Sequence, residues 1–341
     1  MSESNKQKIP FLVRVSCMTF NHASYIEDAM NGFTMQETTF PFVCTIIDDA
    51  STDGEPEVIK KYLLENFDFE DTATVRNEET DDYVMTFARH KTNRNCFFAV
   101  FFLKYNHYKK KSKNLYIAEW EDTKYVAYCE GDDYWINPLK LQKQTDYMNS
   151  HLDCSATFGN FIVYDQNTCT SHQMVYGKTV FNIHDVMAGL MPGIQNICVR
   201  SIVRTVPITS KCNGDMILYY KCGMSGNLIY QNENFAVYRR TGEGSATKRS
   251  PKEHLEALFS EEYTFHRELG FNYNADLVRY QIRIIYNHLK KNKYLHDCIR
   301  LMKLYHAPSR LRYIQYVTNF IRYIRLDVVR IITGRRKITI I

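Results

Sequence analysis

Strand-like and helix-like patterns alternate along the first half of the chain. Phe11–Cys17 is a continuous apolar run rich in β-formers, and the turn-prone pair Asn21–His22 closes it. Tyr25, Ile26, Ala29, Met30 and Phe33 then recur at helical spacing, with Ser24 as the expected cap. Phe42–Ile47 is a second strand of buried type, stopped by the acidic, glycine-containing stretch Asp48–Gly54, and Val58, Tyr62 and Leu63 mark a second helix. A third unit is predicted to run through a helix over 96–108 into a strand at Tyr125–Cys129. Strands separated by helices of this length predict an α/β fold with a mainly parallel central sheet. Beyond residue 150 the pattern loosens: Ala156–Tyr164 and Asn227–Tyr238 read as strands and 180–206 is mixed. From Glu253 onward nearly everything is helix-forming. The stretch TGEGSATKRSP puts a domain boundary near residue 245.

Composition narrows the class. With 341 residues, 45% of them apolar and only 14 Gly and 8 Pro, the chain is neither disordered nor collagen-like and has enough apolar side chains for a sizeable core. The net charge of +5 is unevenly placed. From Pro308 onward eight Lys/Arg stand against the single acid Asp327, so the rest of the chain carries −2 and does not read as a general nucleic-acid binder. The ten cysteines form no C-x2-C or C-x4-C pair, which argues against a zinc knuckle. The N-terminus lacks a signal-peptide pattern, and no run of about 18 apolar residues exists. Scattered cysteines without an export signal predict reduced thiols and a cytoplasmic location.

In parallel sheets ligands bind at the carboxyl ends of the strands. Three loops sit there: Thr19-Phe20-Asn21, Asp48–Gly54 and Glu130-Gly131-Asp132-Asp133. The second has EF-hand residues at positions 1, 3, 5 and 6 (Asp49, Ser51, Asp53, Gly54), but position 12 is Lys60 and a strand precedes it, so that reading fails. A turn and helix cap before Pro56 account for Ser51, Asp53 and Gly54, though not for the consecutive carboxylates Asp48 and Asp49 at a buried strand's end. In the third loop three carboxylates within four residues form a hard-oxygen cluster suited to Mg²⁺ or Mn²⁺. One of them could instead belong to the start of the helix after Asn137-Pro138. Arg89, His90, Lys91 and Arg94 form a basic cluster that either touches a diphosphate, Arg94 foremost, or is a solvated face.

These residues carry a resemblance. KYVAYCEGDDYWINPLKLQKQTDYM, with VRVSCMTFNHASYIEDAM and FVCTIIDDASTDG upstream, resembles bacterial family 2 glycosyltransferases over roughly residues 9–245. The resemblance implies a GT-A fold and an inverting hexosyltransferase. Residues 1–245 would form the enzyme domain, with a nucleotide-binding half over 9–135 and an acceptor half over 136–245, followed by a helical region over 246–341. It implies that Thr19, Phe20 and Asn21 contact the nucleotide. Asp49, with Asp48 beside it, would meet the uracil edge. Asp132 would face the ribose or donor sugar, and Asp133, with Asp132, would ligate Mn²⁺ or Mg²⁺. Asn213-Gly214-Asp215-Met216 resembles the element that supplies the general base, Asp215. By its residue type alone Asp215 reads as a cap of a helix at Ile217–Tyr220. The family's closing Tyr-Arg-x-His appears as Tyr238-Arg239-Arg240-Thr241, so what the histidine would supply has to come from Arg239, Arg240 or elsewhere.

The implied function is metal-dependent transfer of a sugar from a nucleotide sugar, with UDP the expected nucleotide, to a glycan or lipid-linked saccharide in surface polysaccharide synthesis. The alternative is a non-catalytic sugar-nucleotide or glycan-binding module on the same fold; a nucleotidyltransferase is disfavoured by the lack of a Gly-rich phosphate loop. In the tail, Leu311, Ile314, Val317, Ile321, Ile324, Val328 and Ile331 form one stripe, which Tyr313, Tyr316, Phe320 and Tyr323 are expected to widen. With the eight basic residues this predicts a peripheral helix on an anionic membrane surface; packing on the protein's own body is the alternative.

Overall fold

The computed structural model describes residues 9–108, 116–208, 214–242, 250–290, 295–306 and 312–333. In chain order the first elements are β1 (Val13–Thr19), α1 (Ile26–Thr34), β2 (Phe42–Asp48), α2 (Glu55–Asn66), β3 (Phe67–Asp68), β4 (Arg76–Glu79), β5 (Tyr83–His90), β6 (Cys96–Leu103), β7 (Tyr125–Tyr128) and β8 (Tyr134–Trp135). They are followed by α3 (Lys140–Ser150), β9 (Cys154–Asp165), β10 (Thr170–Met174), β11 (Val180–Phe181), α4 (Ile183–Met187), β12 (Cys198–Arg200), α5 (Gly214–Ser225) and β13 (Asn227–Arg240). Four helices complete the order: α6 (Pro251–Glu268), α7 (Asn274–Lys290), α8 (Leu295–Leu304) and α9 (Arg312–Thr333).

The chain divides into two compact units. The first comprises residues 1–173, 192–202 and 231–239; the second comprises 174–191, 203–230 and 240–341. The boundary expected near residue 245 is therefore not a single cut, because 174–191 and 203–230 group with the C-terminal helices.

The first unit is built on a sheet whose order is β13-β9-β12-β7-β1-β2-β6-β5-β3. Its centre is parallel, as predicted: β1 pairs with β7 and β2, and β2 pairs with β6, all in the same direction. Thr19 pairs with Asp48, and Asp48 with Phe102, so the carboxyl ends of three strands finish level. The architecture is an α/β fold of GT-A type.

The helix predicted over 96–108 is instead the strand β6. Both of its faces are covered. Phe97, Ala99, Phe101 and Leu103 pack with Met85 and Trp120, while Phe98 on the opposite face meets Phe33 and Phe67. A strand buried on both sides reads as an unbroken apolar run, which periodicity alone does not separate from a helix. Ser24 does not cap α1 either; the amides of Tyr25 and Ile26 donate to the carbonyl of His22, so a backbone turn opens the helix.

The second unit packs helices around Leu255, Phe259, Leu277, Val278, Ile285, Cys298 and Leu301. Tyr220 stacks on Phe265 with centroids 3.7 Å apart, and its hydroxyl donates to the buried Glu262 carboxylate, which also meets His266 at 3.2 Å. Within this unit β11 pairs with the first residues of β13.

Candidate active site

Three loops meet at the carboxyl ends of β1, β2 and β7, and side chains knit the first two together. Glu55, the first residue of α2, is fully buried. One of its oxygens accepts from the Thr19 hydroxyl, and the other accepts from the His22 amide at 3.0 Å and the Ser51 hydroxyl at 2.8 Å. A buried carboxylate is tolerable only with such donors. Ser51 Oγ accepts from the Asn21 amide and Asn21 Oδ1 accepts from the Thr52 amide, both at 2.8 Å. Asp53 accepts from the amides of Ala23 and Glu55. The first and second loops are thus one rigid body. It holds two non-glycine residues in the left-handed region, Asn21 (φ 57°) and Ala50 (φ 60°); Asn tolerates this, whereas for Ala it is strained. Phe20, at the tip, is exposed.

The third loop lies against the first. Gly131 is required there, since a Cβ would stand 2.1 Å from Thr19 Oγ1. Thr19 gives its one hydroxyl proton to Glu55, so at 3.2 Å the Nδ1–H of His22 donates to Thr19 Oγ1. His22 Nε2 then stands 3.8 Å from Asp132 Oδ2. Asp132 is partly exposed and Glu130 exposed.

Asp133, which the resemblance implies as a metal ligand, is not open to solvent at the strand's end. It is 1% exposed, and its Oδ1 accepts the Arg239 amide at 2.8 Å. Burial, then repulsion from Asp132, pushes its carboxyl well above the usual range. Arg239 ties the region together: its guanidinium donates to the Asp132 carbonyl at 3.2 Å and to Asp28 at 2.6 Å. It sits 4.9 Å from the Tyr25 ring and 4.8 Å from the Tyr134 ring.

Asp48 and Asp49 are both buried. Asp48 accepts from the Ser51 amide, and burial pushes its carboxyl up to about 6. Asp49 Oδ1 accepts the His107 amide at 2.8 Å, and Asn106 donates to the Asp49 carbonyl. The His107 ring is fixed in turn. Its Nδ1–H donates to the Tyr105 carbonyl at 2.7 Å, its Nε2 accepts from Tyr116 at 2.8 Å, and Tyr105 stacks on it.

Arg94 is not part of this site. It precedes β6, at the amino end of the parallel strands, and pairs with Asp68 at 3.2 Å and Asp71 at 3.6 Å. Asp215 lies in the first turn of α5, in the second unit, and burial raises its carboxyl. Asn213 of its motif lies outside the described residues. Sequence reasoning missed Glu55, His22 and His107. Glu55 resembles any acid in a first helical turn, and His107 belongs to none of the three motifs.

The resemblance implies a divalent cation, and the donor set can be tested against it. Mg²⁺ and Mn²⁺ commonly take one or two carboxylates and complete their shell with water and phosphate oxygens. Asp132, with Glu130 two residues before it, fits that description. Asp133 is buried, and one of its two oxygens is already committed to the Arg239 amide. Among the described residues no group of three or more His, Cys, Asp or Glu is arranged to hold a metal by itself.

No protein-family model matches the chain. It is 25% identical over 240 residues to uncharacterized proteins of Mycobacterium tuberculosis (Rv1520) and Mycobacterium bovis (Mb1547). The match covers 67% of this chain and 58% of theirs, so the chain matches little more than half the length of these relatives. Among solved structures, S. aureus TarS 1–349 in complex with UDP-GlcNAc aligns with a TM-score of 0.54 at 16% identity, covering 91% of this chain and 89% of that one. The same protein with UDP aligns at 0.53 and 15%, covering 96% and 93%. At these identities the likeness is one of fold, and the fold is shared along nearly the whole chain.

Proposed function

We propose that the chain is an inverting, metal-dependent glycosyltransferase that moves a hexose from a UDP-sugar to a glycan or lipid-linked saccharide. Its setting would be surface polysaccharide synthesis at the cytoplasmic face of the membrane. The observation that carries this reading is the assembly of the Thr19–His22, Asp48–Glu55 and Glu130–Asp133 loops at the carboxyl ends of parallel strands. The fold is shared with a protein solved with UDP-GlcNAc.

In this reading Thr19, Phe20, Asn21 and Asp49 border the nucleoside, and Asp48 supports their loop. The Glu55 network holds these groups before substrate arrives, which lowers the entropic cost of binding. Asp132 would hold the metal, which when bound neutralises charge on the diphosphate leaving group. Asp215 takes the proton of the acceptor hydroxyl as it attacks the anomeric carbon from the face opposite the diphosphate. A single displacement of this kind inverts configuration.

Incubating the protein with a panel of nucleotide sugars and measuring nucleoside diphosphate release, with Mn²⁺ and with chelator, tests the reading. Metal-dependent release from UDP-sugars is expected. UDP binding with no release in the presence of any saccharide acceptor would favour a binding module.

A further inference from the structure

Helix α9 has two unlike apolar faces. One is used inside the second unit. Tyr316 is 7% exposed and its hydroxyl donates to Gln281 Oε1 at 2.5 Å, while Phe320 meets Tyr286 of α7 edge-on, with centroids 5.9 Å apart. The aromatic residues expected to widen the outer stripe therefore face the protein's own core at these two positions.

The neighbouring face is aliphatic and open. Ile314 is 63% exposed, Val317 and Ile321 58% each, and Ile324 44%. Steps of three and four residues align them in one stripe about 15 Å long. Single exposed apolar residues are ordinary, but a continuous line of four marks a contact surface. On the flank of the stripe away from α7, Arg322 and Arg325 are exposed. Over its whole length α9 has four arginines, at 312, 322, 325 and 330, against the single acid Asp327. Branched aliphatic side chains bordered by arginine complement acyl chains beneath a layer of phosphates. No helix among the described residues is long and apolar enough to cross a membrane, so the contact would lie in the plane of the surface.

We propose that α9 docks on an anionic lipid surface. Ile314, Val317, Ile321 and Ile324 enter the boundary between headgroups and acyl chains, and Arg322 and Arg325 bind lipid phosphates. The inference goes beyond the sugar-transfer reading and does not depend on it.

Flotation of the full chain with vesicles of phosphatidylcholine alone, or mixed with phosphatidylglycerol, tests it. Binding is expected to the mixed vesicles only and to weaken at high salt. Val317→Ser/Ile321→Ser and Arg322→Glu/Arg325→Glu should each lower partitioning by about tenfold or more. All four positions are exposed, so circular dichroism and melting should stay unchanged. Failure to float with the mixed vesicles, or floating that neither variant weakens, overturns the proposal. So does a dimer in light scattering that Val317→Ser/Ile321→Ser dissociates, which would assign the stripe to a second copy of the chain.

Discussion

The backbone N–H of Arg239 donates to Asp133 Oδ1 at 2.8 Å, so the last strand of the first unit's sheet is tied to the acidic loop through a main-chain group. The contact is specific to a carboxyl or carboxamide at 133 and indifferent to the side chain at 239. The Arg239 guanidinium is engaged separately, with Asp28 and the carbonyl of Asp132. Two neighbouring carboxylates are thus placed differently: Asp133 is buried and holds the loop, and Asp132 is partly exposed beside His22.

That division predicts different losses. Asp133→Asn keeps an acceptor for the amide and should fold normally, with nucleotide affinity near wild type. Asp133→Ala strands the amide and should cost about 1–3 kcal/mol in urea denaturation. Asp132→Asn should leave stability unchanged and lower Mn²⁺-dependent UDP affinity by at least tenfold, roughly the scale of metal-site changes. Calorimetric UDP titrations with and without Mn²⁺ separate the cases. Equal loss in Asp133→Asn and Asp132→Asn would return the metal to Asp133.

Glu55 gathers three donors from two loops, so its removal should be felt in both. Glu55→Ala leaves Thr19, Ser51 and the His22 amide without their acceptor and should cost roughly 2–4 kcal/mol. Thr19→Val removes one of the three and should cost less, about 1 kcal/mol. Chemical denaturation measures both. A Glu55→Ala loss within the ordinary surface range of about 0.5 kcal/mol would mean the loops do not depend on it.

The parallel core and the three strand-end loops were legible because buried strands and turn residues leave local patterns at Val13–Thr19, Phe42–Asp48 and Tyr125–Tyr128. What escaped were properties set by tertiary contacts. Cys96–Leu103 reads as helix because nothing in its own composition reports the layers covering it. Asp133 and Asp132 are identical letters side by side, and it is Asp133 that the Arg239 amide meets from 106 residues away. By charge alone Arg94 reads equally as a phosphate ligand or as part of a solvated face; its position at the amino end of β6 depends on 96–103 being a strand. His107 acts through its backbone amide and a fixed ring, and neither leaves a motif.

The raised carboxyl of Asp48 makes stability depend on pH in a direction opposite to most surface acids. The folded state binds this proton more tightly than the unfolded chain, whose Asp has the ordinary value near 3.8, against about 6 when folded. The resulting stabilisation is complete below the unfolded value and is lost as pH rises through about 6. Melting followed between acid and neutral pH should show Asp48→Asn gaining on wild type as pH rises through that window. Parallel curves for the two proteins would mean that Asp48 titrates normally.

Asp215 gives the sharpest kinetic test, because a base acts on the acceptor and not on the nucleotide. Asp215→Asn should lower turnover by roughly 10²–10⁴-fold while UDP affinity stays the same. The pH profile adds a second readout. Burial raises this carboxyl, and only its ionised form accepts a proton, so transfer should fall as pH drops through a value above the group's ordinary one. That acid limb should vanish from the residual activity of Asp215→Asn. If the variant keeps its turnover, or loses it with the limb unchanged, the base is another group, and Glu130, exposed beside Asp132, is the next to replace.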